Sequence, residues 1–406
     1  MTLRARLSFL VFPMVALASF ATLLDTRSFI PNHLLHKAHP GYHEQWFNDK
    51  KDANGEIPPF LRSQWAKYDA MKFNLSRRSS DNPIDTIIEL GPKSVGGRTR
   101  GLWIDPRNEK IMLAAAISGG LWRTVDGGLN WKPLNEHQVS MMPSCITSNP
   151  FNHDEIYYGT GESRANSADV DGEGVFKSTD GGLTFNQITS SAKTAGFQEI
   201  WDIEHAKDDS QTLFVGTQSN GLYRSTDGGT TFTNVYAGGN KQVTDILCLP
   251  NNRVIATLHM SQVVASDSLG KPGTFKIISF PNAPGSGSYR RIQLASPANF
   301  PNVVYAVFEG FAFDATPVAL YKSSDGGRTW TKKTAPGGAG ASYQAYCLLF
   351  GAHPNDSNAI VCGGVKLVRS LDGGTTWTNL TVGHSDHHSF AYLPKTTSEF
   401  VVGSDG

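Results

Sequence analysis

Eight residues recur five times along this chain: TVDGGLNW at 124–131, STDGGLTF at 178–185, STDGGTTF at 225–232, SSDGGRTW at 323–330 and SLDGGTTW at 370–377. A looser sixth copy, SDSLGKPGTF at 266–275, keeps an Asp and the closing Thr-Phe around a longer turn. The aspartates Asp126, Asp180, Asp227, Asp267, Asp325 and Asp372 are separated by 54, 47, 40, 58 and 47 residues. A motif returning at this interval marks one supersecondary unit stacked on its copies, and the period suits a four-stranded propeller blade. The motif has a mechanical reason. A Ser or Thr hydroxyl and an Asp carboxylate share hydrogen bonds inside a hairpin turn, two Gly supply positive φ, and the closing Trp or Phe returns into the layer between blades. The six aspartates are therefore expected to be structural.

Each unit parses further. An apolar strand ending in Gly precedes each turn, as in IMLAAAISGG, EIYYGTGE, TLFVGTQSNG, VVYAVFEG and AIVCGG. Before it lies another strand ending in a polar turn, as in GLWIDPRNEK, CITSNPFNHDE and CLLFGAHPNDSN. The expected fold is all-β: a β-propeller of four-stranded blades, six blades plus a partial seventh made of HSFAYLP and EFVVGSDG, with a short helical N-terminal extension. The 41 Gly and 21 Pro, with only 18% charged residues, suit many short strands joined by tight turns. Up-and-down pairing puts the repeated turns on one face with the turns between first and second strands. The remaining loops share the opposite face, here called the top.

Three segments are expected: 1–24 as a signal peptide or uncleaved anchor, 25–84 as the N-terminal extension, and 85–406 as the propeller. Arg4 and Arg6 precede an uncharged apolar run from Leu7 to Leu24, the pattern of an export signal or a short membrane anchor. Either places the rest outside the cytoplasm, secreted, periplasmic or at the cell surface. A helix is expected from Pro59 to Asn74, and 85–92, DTIIELGP, has the pattern of an outermost strand able to close the ring. With a strand and a turn lacking from the seventh blade, the expected full chain continues beyond residue 406, as the end of this propeller or of a larger one. The 36 Lys plus Arg balance 36 Asp plus Glu, which argues against nucleic acid as a partner. Cys145, Cys248, Cys347 and Cys362 show no metal or disulfide spacing and are expected to be buried thiols.

The repeated turn resembles the Asp-box, or bacterial neuraminidase repeat, of sialidases, sortilin-like receptors and xyloglucan-cleaving propeller hydrolases. The resemblance covers roughly residues 90 to 406 and implies the fold. Sialidases of this class carry an F-R-I-P segment, which this sequence lacks. In the xyloglucan-cleaving relatives, T-D-V-G-G-A-Y-R in the first blade supplies a catalytic Asp; the matching stretch here is AISGGLWR, with Ile117 in that carboxylate's place. The sequence is most similar to secreted sortilin-type, glycosyl-hydrolase-like propellers of gliding and polysaccharide-degrading bacteria, which share G-P-x-x-x-G-G-R, here GPKSVGGR at 91–98. That resemblance implies a hydrolase; a canonical glycosidase needs two positioned carboxylates.

Function is expected at the top face, at the mouth of the central channel. Arg98 and Arg100 open the first inner strand. Arg291 and His388 take the place of Arg100 when strands are counted back six residues from their turn Pro. His384, Asp386, His387 and His388 form the densest titratable group, either a polar loop with one His facing the channel or a metal or acid-base group. The loop at 160–174 adds Glu162, Arg164, Asp169, Asp171 and Glu173, and Glu309 ends another second strand. Its DVDGEG lacks the full calcium-loop spacing. Phe197, Trp201, Tyr289, Phe311 and Tyr343 are candidates for stacking on sugar rings. The expected partner is an extracellular protein or a polysaccharide, with no cofactor or metal. A binding module and a glycoside hydrolase using Glu162, Glu309 or Asp386 are the two readings.

Overall fold

The computed structural model describes residues 98–134, 142–162, 170–238, 242–285, 287–311, 316–339, 346–380, 385–395 and 399–405. The apolar run, the helix expected at 59–74, the strand expected at 85–92, and residues Arg164, Asp169, Tyr343 and His384 lie outside them.

The described residues fold as six four-stranded antiparallel sheets and one two-stranded sheet, each built from strands consecutive in sequence. Blade one holds β1 (Thr99–Ile104), β2 (Met112–Ala116), β3 (Gly120–Thr124) and β4 (Lys132–Pro133). Blade two holds β5 (Pro143–Asn149), β6 (Asn152–Thr160), β7 (Val175–Ser178) and β8 (Asn186–Gln187). Blade three holds β9 (Ile200–His205), β10 (Leu213–Thr217), β11 (Leu222–Ser225) and β12 (Thr233–Tyr236). Blade four holds β13 (Val243–Leu249), β14 (Arg253–Leu258), β15 (Val263–Ser266) and β16 (Lys276–Ile278). Blade five holds β17 (Tyr289–Ala295), β18 (Val304–Gly310), β19 (Ala319–Ser323) and β20 (Thr331–Lys333). Blade six holds β21 (Leu349–Ala352), β22 (Ile360–Gly363), β23 (Leu367–Ser370) and β24 (Thr378–Leu380). The two-stranded seventh pairs β25 (His387–Tyr392) with β26 (Phe400–Ser404).

The first strands are neighbours in the order β1, β5, β9, β13, β17, β21, β25 and back to β1, so seven inner strands close a ring. Ser389 Oγ donates to Thr99 O at 2.8 Å across the closure.

The core lies between blades. In β18 the alternate residues Val304, Ala306 and Phe308 enter the layer shared with blade four, while Tyr305 and Val307 enter the layer shared with blade six. A strand buried on both faces carries a continuous apolar run rather than alternation, because its period-two side chains meet two cores. All four cysteines are buried, and burial pushes the Cys347 thiol up to about 12.

The repeated turn works as its residues dictate. In blade two, Ser178 Oγ donates to Asp180 Oδ1 at 2.7 Å and accepts from Gly182 N at 2.9 Å. Asp180 accepts from Leu183 N, Thr184 N and Thr184 Oγ1. Gly181 and Gly182 sit at φ 72° and 77°. Each such turn also donates a backbone N–H to the same blade's turn between first and second strands: Gly127 to Lys110, Gly181 to Asp154, Gly228 to Gln211, Gly326 to Asn302 and Gly373 to Asn358. That contact puts both turns on one face and leaves the other loops to the top. The looser copy departs from this scheme. Asp267 directly follows Ser266, so Ser268 holds the aspartate's place, and Asp267 instead accepts from Arg253 at 2.7 Å and Arg328 at 2.8 Å. It ties blade four to blade five rather than holding its own turn.

The side-chain amide of Asn130, then its backbone N–H and the Thr124 hydroxyl, hold Asp126 down at about 2. Burial acts upward on Asp180, but Thr184 and Ser178 outweigh it and leave that carboxyl also at about 2. A carboxyl depressed in the folded state stabilises it above the ordinary value of about 4, and that contribution disappears as pH falls through the folded value. The expected result is a denaturant midpoint that falls steadily between pH 4 and pH 2. A flat midpoint over that range would contradict the turn assignment.

Candidate functional site

Six of the seven inner strands carry a register irregularity near their top end, at Arg100, Ser144, Trp201, Thr244, Arg290–Arg291 and His388. A bulged residue leaves the ladder and its side chain is re-aimed. Here successive blades bring Arg100, Ser144, Trp201, Thr244, Arg291 and His388 to the mouth of the channel, all of them buried. The mouth is thus packed with side chains rather than open at these positions.

One cluster joins blades one, two, six and seven. Arg100 Nε and Nη2 donate to Glu162 Oε1 at 2.9 and 2.6 Å, and Arg98 Nη2 donates to Glu162 Oε2 at 2.7 Å. Arg100 Nη1 lies 2.7 Å from His388 Nδ1 and also donates to Tyr346 O. His388 Nδ1 also lies 3.2 Å from Tyr346 O, and its Nε2 lies 2.5 Å from Asp405 Oδ1. The two guanidiniums face two carboxylates across the imidazole. The Arg100 and Glu162 side chains are each 1% exposed, whereas Arg98 and Asp405 are each 28% exposed. Burial acts upward on Asp405, yet the His388 hydrogen bond and the two arginines hold it below the usual carboxylate range. The Tyr346 ring lies under Arg100 at 4.4 Å and meets His388 edge-on at 5.1 Å.

A second cluster centres on Arg291, which donates through Nη1 to Leu348 O at 3.1 Å and lies 5.8 Å from the Trp201 ring. Burial lowers the Arg291 pKa against the opposing pull of Asp245 and Glu309. Asp202 accepts from Ile246 N at 2.7 Å and Asp245 from Leu294 N at 2.5 Å, so each carboxylate staples its inner strand to the next. Burial, then the neighbouring Asp202, raises Asp245 well above the ordinary carboxyl value.

Of the residues expected at the mouth, Arg98, Arg100, Glu162 and His388 come together, while Arg291 and Glu309 belong to the second group. His387, the first residue of β25, is buried with Nδ1 2.8 Å from Gly364 O of blade six. Asp386 sits beside it at φ 61°. Among the described residues no group of three His, Cys, Asp or Glu side chains converges as a metal site. Phe197, Trp201 and Tyr289 are buried in or beside the inter-blade layers, and Phe311, 40% exposed, stacks with Arg290 at 4.6 Å.

Tyr346, Asp405, Asp202 and Asp245 were not singled out from the sequence. A usable signal existed for three of them. Asp405 ends a second strand as Glu162 and Glu309 do, and Asp202 and Asp245 share an Asp-Ile pair at matching places in β9 and β13.

A closed ring of antiparallel blades defines a β-propeller. No protein-family model matches the sequence, and no curated protein matches it. Solved structures do resemble the fold. The GH74 xyloglucanase of Xanthomonas campestris superposes with a TM-score of 0.58 at 16% identity, over 76% of this chain and 51% of that one. The GH74 enzyme of Niastella koreensis superposes with a TM-score of 0.58 at 18% identity, over 77% of this chain and 52% of that one. YCF48 from Cyanidioschyzon merolae gives 0.54 at 15% identity, over 77% of this chain and 95% of that one. The chain thus spans about half the length of the two GH74 structures.

Proposed function

We propose that this chain is an Asp-box propeller of the sortilin-like and xyloglucanase-like type, acting outside the cytoplasm as a binding module for a protein or glycan at its top face. The observation that carries the proposal is the state of Glu162 in the cluster at the channel mouth. Both its oxygens are engaged by Arg98 and Arg100, and its side chain is 1% exposed. A general acid must reach the leaving group and a nucleophile must reach the sugar. A carboxylate clamped by two guanidiniums does neither. Glu309 is fully buried, and Ile117, in the place of the relatives' carboxylate, is buried too.

Above the clamp, Arg98, Tyr346 and Asp405 reach the surface and offer a cation, a ring face and a carboxylate to a ligand. Export is proposed from Arg4, Arg6 and the apolar run that follows. A structure titled YCF48 bound to D1 peptide, similar to this fold with a TM-score of 0.53, is an example of a propeller holding a peptide. The second reading is a glycoside hydrolase, favoured by the likeness to the GH74 fold.

One experiment separates them. The full chain is tested on a glycan array and in polysaccharide and protein pull-downs, and every ligand found is assayed for release of reducing ends. Expected are saturable binding without release and an affinity loss of about fivefold to thirtyfold for Tyr346→Ala, on the scale of one stacking contact. Release of reducing ends by the purified wild-type chain establishes the hydrolase instead.

A further inference from the structure

The formal charge of the whole chain is zero, but its sectors are not neutral. The described residues of blades two and three with their loops, 142–162 and 170–238, hold 12 Asp and Glu against 4 Lys and Arg. Those of blades four and five, between 242 and 339, hold 4 against 9. The surplus reaches the outer rim of this basic sector. Ile278 packs into the layer between blades four and five, so Lys276, two residues before it on β16, leaves the strand on the same side. Lys332 on β20 follows Trp330 of that layer by two residues, and its Nζ donates to Asn282 O, in the loop after β16, at 3.2 Å. The two lysines therefore flank one seam from its two sides. Both are exposed, and neither meets a carboxylate among the described residues. Asp267, which joins these blades, already holds Arg253 and Arg328.

The seam between blades five and six repeats the excess. Lys322 lies opposite Tyr305 as Lys177 lies opposite Tyr157. In blade two, Glu155, two residues before Tyr157, pairs with Lys177 at 3.3 Å. The corresponding residue of blade five is Val303, and Lys322 Nζ donates instead to the amide oxygen of Asn358 at 2.6 Å. Lys333 on β20 adds a second cation there: burial, then Lys333, lowers the Lys322 pKa against the pull of Asp356. Blade five thus holds two like charges together where blade two neutralises one.

We infer that the rim of blades four and five, from Lys276 across Lys332 to Lys322 and Lys333, is a binding surface for an acidic polysaccharide carrying carboxylate or sulfate groups along its length. The inference rests on the proposed export and adds a second surface to the top-face reading. These cations follow the outermost strands from one seam to the next, which suits a linear polyanion whose charges recur along one strand. A protein partner is held by aromatic and Arg anchors in a desolvated pocket, and lysines are depleted from such contacts. This rim instead presents lysines around Ile277, 64% exposed.

The test measures binding of the full chain to dextran sulfate, polygalacturonate and unmodified dextran. Expected are saturable binding of both anionic polymers, weakening as salt rises, and none of dextran. Lys276→Glu with Lys332→Glu is expected to weaken the anionic binding by about five- to thirtyfold, the scale of two exposed ion pairs. Lys110→Glu with Lys132→Glu, exposed positions of blade one, changes the net charge equally and is expected to cost less than about twofold. All four lysines are exposed, and matching denaturant midpoints check that both variants fold. Equal losses in the two double variants overturn the inference, since overall charge then explains the binding. So does equal binding of dextran, or no binding of either anionic polymer. Tyr346→Ala is expected to leave the anionic binding unchanged. A loss in Tyr346→Ala with none in the rim variant puts the glycan at the top face, which overturns the rim and spares the earlier reading.

Discussion

Glu162→Gln is expected to lower the unfolding free energy by about 3–5 kcal/mol, because it removes the carboxylate hydrogen-bonded to both guanidiniums at the channel mouth. Arg100 is fully enclosed, and its Nε and Nη2 both depend on Glu162 Oε1. The amide keeps the shape and loses the charge, which leaves an uncompensated buried cation. A double variant, Glu162→Leu with Arg100→Met, is expected to be markedly more stable than Glu162→Gln, since an apolar pair of similar volume leaves no orphan charge. Denaturant titration of the three proteins checks both statements. If Glu162→Gln unfolds within about 1 kcal/mol of the parent, the cluster is exchanging with water like a surface pair and the closed mouth is wrong.

Phe308→Ala is expected to destabilise by a similar amount, about 3–5 kcal/mol, through a different mechanism. Phe308 is 2% exposed and meets Tyr289, Phe280 and Tyr321 edge-on at 5.1, 5.2 and 5.4 Å. Truncation leaves a cavity among rings held by two different blades, and neither sheet can close it without shifting its own ladder. The measurement is again an unfolding titration, and an effect below about 1.5 kcal/mol would show that the layer between blades four and five collapses freely. The two substitutions separate two stabilising terms. Salt and pH should alter the loss at Glu162 and leave the loss at Phe308 nearly unchanged.

The blades were legible in the sequence because their determinants are local. Ser178, Asp180, Gly181 and Gly182 make their turn with one another, and a contact between residues two to four apart is written wherever those residues stand. The apolar runs of the second strands likewise announce burial on both faces. Where spacing slipped by one residue, as at Asp267 in the looser copy, the carboxylate had turned to Arg253 and Arg328.

The site was legible only in part. Counting back from the turn Pro found Arg100, Arg291 and His388, because the bulges fall at one place in each inner strand. Their partners lie on other blades: Glu162 is 62 residues from Arg100, and His388 is 288 residues from it. The sequence by itself determined the repeat, the four-stranded unit and the two strands of the seventh sheet. Only the tertiary structure decided which side chains meet when the ring closes, and with them whether Glu162 stands free as an acid or clamped as a counter-ion. The physical reason is that a propeller's channel is assembled from one short strand per blade, so its charges are neighbours in space and strangers in sequence.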